Sequence, residues 1–244
     1  STELERTGFF TCSNEKVNRL YLNALYSQLS NYMDIPTDCP QRDERLGWSG
    51  DAQTFAPTAS YNFDIRIFME RYLRNLNSYQ NKHDGAVPNY FPMQGFLGGS
   101  AQVWGDAVTF IADILKKYYG NAHAYEDEYE MMLAWVEYCL NNMANDKYLV
   151  KGHMQFGDWL ALDGVTEQSM PGGTDDEYIA SMYLLESINK TVSMGTTLHK
   201  DISGLKAIAE KLRQNILDEY FSNTGKRRIE LFKITLSCVG DNFG

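Results

Sequence analysis

The sequence lacks several features that mark whole classes of protein. It has only four cysteines in 244 residues, and none stands in a CxxC pair, so neither a disulfide framework nor a cysteine zinc site is indicated. No apolar run reaches the roughly 18 residues that a membrane span requires. Acidic residues number 32 against 22 lysines and arginines, and this negative balance argues against binding nucleic acid or an anionic membrane surface.

Motifs for metals, phosphates and nucleophilic serine are also missing. The glycine pairs lack the lysine and helix pattern of a phosphate loop, and no G-x-S-x-G elbow occurs. No metal and no cofactor is therefore expected. The first 16 residues have neither a basic nor an apolar segment of the signal-peptide kind, which leaves the compartment open between cytoplasm and periplasm. The histidines show no ligand spacing; they are His83, His123, His153 and His199.

Helical periodicity dominates what is present. Apolar residues recur at intervals of three and four from Ser13, a candidate N-cap, to just before Pro36. The same pattern predicts seven helices and an all-α chain, with a kink expected at Pro57. The last residues, 226–244, have a more strand-like composition and no assigned role. The other six helices are predicted at about 50–62, 64–84, 103–119, 122–143, 175–194 and 201–221.

Three loops share a composition of tryptophan beside acidic residues and glycine. They read ERLGWSGD at 44–51, VWGDA at 103–107 and FGDWLA at 156–161. A buried carboxylate needs partners, so this composition suits a core poorly. It suits a sugar site, where the indole covers an apolar sugar face and aspartate accepts hydrogen bonds from hydroxyls. Chance clustering of core aromatics is the simpler alternative, and we favour the sugar site.

The segment DIPTDCPQRDERLGWSGDAQTFAPTASYNFD resembles the signature of bacterial α-L-rhamnosidases, glycoside hydrolase family 78. The similarity continues through DGAVPNYFP, VWGDA and FGDWLA, over roughly residues 8 to 222. It implies helical hairpins of an (α/α)6 barrel of the six-hairpin glycosidase type. Residues 1–225 would form the N-terminal portion of that catalytic domain, and 226–244 a divergent tail. The seven predicted helices fall short of the twelve that such a barrel implies.

The resemblance also implies roles for individual residues. It makes Glu44 the general acid, with the sugar held by neighbours in the same segment: Asp38, Arg42, Trp48 and Asp51. It places Trp104 and Trp159 in the pocket wall, with Asp106 and Asp158 as further candidates. The residues themselves do not decide which carboxylate is the acid, nor whether its pKa is raised or lowered. Nearby carboxylates raise the pKa of a glutamate and arginines lower it, and Asp43 is an adjacent rival for the acid role.

An inverting glycosidase needs a second carboxylate to activate water, and the resemblance places that base beyond this chain. Glu167 and Glu177 are read as surface or helix-terminal charges. We therefore expect a longer parent with further domains, which acts on a rhamnose-containing glycoside, and little turnover by this chain alone. Two alternatives stay open: a carbohydrate-binding helical module without catalysis, and another six-hairpin glycosidase or lyase acting on uronic-acid sugars. The acidic loops disfavour the second.

Overall fold

The computed structural model describes residues 3–93, 99–120, 125–162 and 172–221. Within these ranges the chain is helical, with isolated β-bridges in place of strands, which confirms the all-α prediction. The tail at 226–244, His123 and Glu167 lie outside the described residues. The helices are α1 (Glu15–Asn31), α2 (Ser49–Asn62), α3 (Arg66–Gln80), α4 (Ala107–Tyr119), α5 (Tyr125–Asn142), α6 (Asp176–Thr197) and α7 (Ser203–Tyr220).

Local signals explain where these helices begin and end. Asn14, not the predicted Ser13, caps α1, because its side chain accepts hydrogen bonds from the backbone N–H groups of Lys16 and Val17. Gly120 closes α4 in the left-handed conformation with φ of 60°, which glycine adopts without steric cost. One helix, α2, continues through Pro57 without interruption. Helix boundaries are thus predictable from the sequence to within a few residues.

Alternate helices form two layers. Helices α2, α4 and α6 pack side by side, and α3, α5 and α7 pack against them from outside. The core between the layers is apolar and well buried, with Ile111 of α4, Trp135 of α5 and Leu184 of α6 all without exposed surface. None of the described helices combines the length and the apolarity that crossing a membrane requires.

The inner helices α2, α4 and α6 all direct their N-terminal ends to the same side of the molecule. Residues at or just before those ends, Asp51, Trp104 and Tyr178, line one common cavity. The N-terminus of a helix carries unpaired N–H groups and a partial positive charge. Three such ends therefore surround the place where the predicted acidic loops converge.

Candidate active site

A cavity of about 1240 Å³ lies at the N-terminal ends of the inner helices. Five of the predicted site residues line it, namely Asp38, Asp51, Trp104, Asp158 and Trp159. The prediction from sequence omitted several other lining residues that come from helices or, for Tyr32, from the end of one. In the sequence, a helical residue that faces inward looks like a core residue, so these positions were not recognised. They include Tyr32, Phe55, Thr58, Tyr178, Ile179 and Tyr183.

The segment 34–52, which we call the acid loop, is anchored at several points. Two hydrogen bonds join Asp38 and Leu46. The Asp38 N–H donates to the Leu46 carbonyl at 3.1 Å, and the Leu46 N–H donates to Asp38 Oδ1 at 3.2 Å. The buried Tyr72 hydroxyl of α3 donates to the Gly47 carbonyl at 2.9 Å. Ser49 donates through N–H and hydroxyl to the Asn89 carbonyl, both at 2.9 Å. The loop is therefore fixed to the helical framework.

Glu44 occupies the centre of this loop. The Trp48 indole N–H donates to its Oε1 at 2.9 Å, and the Arg42 guanidinium contacts its Oε2. Glu44 does not itself line the cavity, but it lies beside Asp38, which does, with carboxylate oxygens within 4.8 Å. Asp43, the rival for the acid role, is exposed to solvent. The structure thus brings Glu44, and not its neighbour, against the groups predicted to accompany it.

Arg42 is one of two arginines in the acid loop, the other being Arg45. The Arg42 guanidinium contacts Glu44, lies 3.6 Å from the Asp38 carboxylate, and donates from Nε to Cys39 Sγ at 3.2 Å. Within the described residues, Asp38, Cys39 and Glu44 are also a set whose ligand atoms are close enough together to hold a metal ion. Because the arginine already contacts all three side chains, this arrangement favours a charge cluster organised by Arg42.

Asp51 stands in the first turn of α2 and faces the cavity. The pKa of its carboxyl is raised, first because protein atoms surround it in the concave site and then because Asp38 and Glu44 are negatively charged. The side chain nevertheless keeps access to the cavity. Asp51 can therefore accept hydrogen bonds from a ligand that enters.

The three predicted tryptophans meet through one aromatic residue that the sequence analysis did not single out. The Phe156 ring lies 4.5 Å from Trp104, 5.4 Å from Trp159 and 6.1 Å from Trp48, centroid to centroid. We call this group of four rings the aromatic wall. Trp159 is 40% exposed, whereas Trp104 is only 7% exposed, and both line the cavity. Phe156 directly precedes the GDW triplet, which was the available signal.

Asp106 does not lie where its predicted role in sugar binding would require. Its side chain is completely buried behind the aromatic wall and does not line the cavity, so the structure does not bring it to a position where it could touch a sugar. Its Oδ1 accepts from Trp135 Nε1 at 2.8 Å and from Ser187 Oγ at 2.5 Å. Burial raises the pKa of Asp106 to about 6, although these hydrogen bonds pull it down.

Glu177 and Asp158 complete the set of predicted acidic residues. Glu177 is held by the Lys151 ammonium at 2.9 Å and by the Gly152 N–H at 2.9 Å, which fits a structural clasp at the start of α6. Asp158 lines the cavity, and its carbonyl accepts from the Gly172 N–H at 2.7 Å. Of the two, only Asp158 remains a candidate for contact with a ligand.

Comparison with known proteins identifies the family of the chain. A family described as the bacterial α-L-rhamnosidase six-hairpin glycosidase domain matches residues 5–238. The chain belongs to this family. It is similar to α-L-rhamnosidases of Alteromonas sp. (strain LOR), 35% identical over 75% of this chain, and of Streptomyces avermitilis, 31% identical over 86%. It spans 20% and 19% of the lengths of those two relatives.

Solved structures of two α-L-rhamnosidases share the fold. The Streptomyces avermitilis enzyme in complex with L-rhamnose superposes with a TM-score of 0.82 at 31% identity, covering 93% of this chain and 21% of that one. The Aspergillus terreus enzyme gives a TM-score of 0.85 at 31% identity, covering 93% and 26%. The predicted six-hairpin glycosidase architecture is thereby confirmed.

Proposed function

We propose that this chain carries the sugar-binding and acid-donating part of a glycoside hydrolase that releases terminal L-rhamnose with inversion of configuration. The observation that carries the proposal is the placement of Glu44 between Trp48 and Arg42, beside Asp38 at the edge of the cavity. Hydrolysis of a glycosidic bond needs a carboxylic acid at that kind of edge, where it can reach the leaving oxygen.

Each side chain then has a defined task. Glu44 transfers its proton to the glycosidic oxygen as the bond to the anomeric carbon breaks. Trp48 and Arg42 each contact one of its oxygens and so fix the orientation of the carboxyl group. Asp38 and Asp51 accept hydrogen bonds from sugar hydroxyls, with Asp158 as a further candidate on the cavity lining. The aromatic wall covers the apolar face of the ring.

The second carboxylate of the reaction is not assigned to a described residue. An inverting enzyme needs about 6.5–9.5 Å between its carboxyl groups so that water fits between them. Asp38 is too close, because its oxygens lie within 4.8 Å of those of Glu44. Asp106 is buried and Glu177 is held by Lys151. We therefore expect this chain by itself to bind rhamnose and to hydrolyse rhamnosides slowly or not at all.

Titration calorimetry of the chain with L-rhamnose and with D-glucuronate tests the proposal. Asp38, Asp51 and Asp158 line the cavity, with Glu44 beside Asp38, so a neutral sugar should bind and an anionic one should not. Tighter binding of the uronate would favour a uronic-acid-specific enzyme. Rhamnose binding without hydrolysis by any longer protein that contains this chain would favour a binding module.

A further inference from the structure

Val103 has an unusual backbone conformation directly before a residue of the aromatic wall. Its φ is 73°, a region that β-branched residues rarely adopt because the side chain meets the backbone. Such a conformation persists only where the surroundings enforce it. Two buried side chains do so here. The Val103 N–H donates to Asp106 Oδ2 at 2.6 Å, and its carbonyl accepts from the Gln53 amide of α2.

This turn determines where the next residue, Trp104, points. The indole lies against Gly50 at the start of α2, so closely that a Cβ there would be 2.9 Å from Trp104 Cε2. On its other side it packs against Phe156 at 4.5 Å. If Val103 relaxed to an ordinary negative φ, the chain direction at Trp104 would change, and the indole would leave this slot.

The two oxygens of Asp106 serve different parts of the molecule. Oδ1 accepts from Trp135 of α5 and Ser187 of α6, which ties the carboxylate to the helical framework. Oδ2 accepts from the Val103 N–H and so connects the carboxylate to the loop that carries Trp104. Since Asp106 has no exposed surface, its influence on a ligand has to pass through Val103 and Trp104.

We propose that Asp106 and Gln53 are positioning residues, which clamp Val103 in its left-handed conformation and thereby hold Trp104 in the wall of the cavity. The expected effect on rhamnose binding rests on the proposed function, whereas the expected effect on the position of Trp104 does not. It assigns the acidic residue of the VWGDA motif to the backbone of its own loop rather than to the sugar.

The Trp104 indole N–H resonance gives a readout that needs no sugar. This N–H is buried without a hydrogen-bond partner among the described residues, and Trp104→Phe assigns its signal. Asp106→Ala should shift the resonance and speed its exchange with solvent. The matched control is Ser187→Ala, which removes a partner of Oδ1 and leaves the bond to Val103 in place. An unchanged resonance in folded Asp106→Ala would overturn the proposal, as would an equal change in the control.

Rhamnose affinity gives the second readout, through a double-mutant cycle. Asp106→Ala should weaken binding by about fivefold or more when Trp104 is present, but by less than about twofold in the Trp104→Ala background. Ser187→Ala should change affinity by less than about twofold in either background. Equal losses in both backgrounds would mean that Asp106 does not act through Trp104, and would contradict the proposal.

Gln53→Met keeps the test decisive if Asp106→Ala does not fold. It removes the donor to the Val103 carbonyl and leaves Asp106 untouched, so it should shift the Trp104 resonance in the same way. A native Trp104 signal in folded Gln53→Met would then count against the clamp. If the native chain binds no rhamnose, the proposed function fails, while the resonance experiments still decide the positioning role.

Discussion

Two carboxylates near the cavity make the same contact in different surroundings. Glu44 in the acid loop accepts an indole N–H from Trp48 at 2.9 Å, and Asp106 behind the aromatic wall accepts one from Trp135 at 2.8 Å. Glu44 is partly exposed and contacts Arg42, whereas Asp106 has no exposed surface and contacts only neutral donors. The shared pairing of indole and carboxylate therefore says little about function.

The pKa values reinforce this lesson. Asp106 has its pKa raised to about 6 by burial, which would suit a proton donor near neutral pH. It nevertheless has no route to a ligand. A raised pKa marks a functional candidate only together with access to the reacting atoms. The comparison of Glu44 with Asp106 thus separates the group that we propose for chemistry from one that is enclosed in the structure.

The largest expected effect comes from Glu44→Gln. The amide keeps an oxygen for the Trp48 N–H but cannot donate a proton to the leaving group. Where hydrolysis is measured, in this chain or in a longer protein that contains it, kcat on natural rhamnosides should fall by about 10²–10⁴. An aryl rhamnoside with an acidic leaving group should be affected much less. The measurement is kcat on both substrates.

Asp43→Asn is the matched control, since it changes the adjacent exposed carboxylate. It should leave kcat on both substrates close to the native value. Equal losses on both substrates with Glu44→Gln, or a leaving-group effect that appears with Asp43→Asn instead, would show that the acid has been assigned to the wrong residue.

Asp106→Asn should change the pH dependence of stability. The pKa of Asp106 rises from 3.8 to about 6 on folding, so between these values the folded state binds more protons than the unfolded state. The free energy of unfolding from this group therefore falls as pH rises through that window, by about 3 kcal/mol. In Asp106→Asn that fall should vanish. Urea unfolding at pH 4 and pH 7 measures it, and identical pH dependence in both proteins would contradict the assignment.

Glu128→Gln extends the comparison to a buried carboxyl far from the acid loop. Glu128 of α5 is 5% exposed, and its pKa rises from 4.5 to about 7 because of burial and then of Glu70 and Asp127. As for Asp106, the folded state binds more protons than the unfolded state between these pKa values. The contribution of Glu128 to the free energy of unfolding is therefore lost as pH rises from about 4.5 to about 7. Glu128→Gln should therefore be more stable than native at pH 8, by about 2 kcal/mol, and nearly unchanged at pH 4. A stability gain at pH 4 instead would refute this.

The smallest expected effect concerns Trp159, the most exposed ring of the aromatic wall. Its truncation to alanine removes a stacking surface at the cavity and should weaken rhamnose binding about tenfold, equivalent to about 1.4 kcal/mol. Tyr61→Ala removes an exposed aromatic ring that does not line the cavity and should leave the affinity nearly native. Calorimetry compares the two, and equal losses would mean that the wall does not stack on the sugar.

Features that depend on local pattern were predictable from the sequence. Helical periodicity located α1 to α7, Gly120 marked the end of α4, and the acid loop was recognised from a long motif. Local pattern does not say on which side of a loop a side chain lies. Asp106 and Trp104 stand two residues apart in one motif, yet one is buried behind the wall and the other lines the cavity.

Phe156 shows the same limit from the other direction. Its position before the GDW triplet is a weak signal, because the sequence alone does not distinguish it from a core aromatic residue. Its importance comes from contacts with Trp159 of its own loop and with Trp48 and Trp104, which belong to two other loops. Such convergence is a property of the tertiary structure, and only the arrangement of the inner helices reveals it.

A crystal structure of this chain with L-rhamnose tests the central claim most directly, namely that the acid loop and the aromatic wall serve one sugar. The account predicts that the sugar lies in the cavity between Asp51 and Trp159, with its anomeric carbon turned toward Glu44. Rhamnose bound elsewhere on the chain, or bound in the cavity with its anomeric carbon directed away from Glu44, would contradict it.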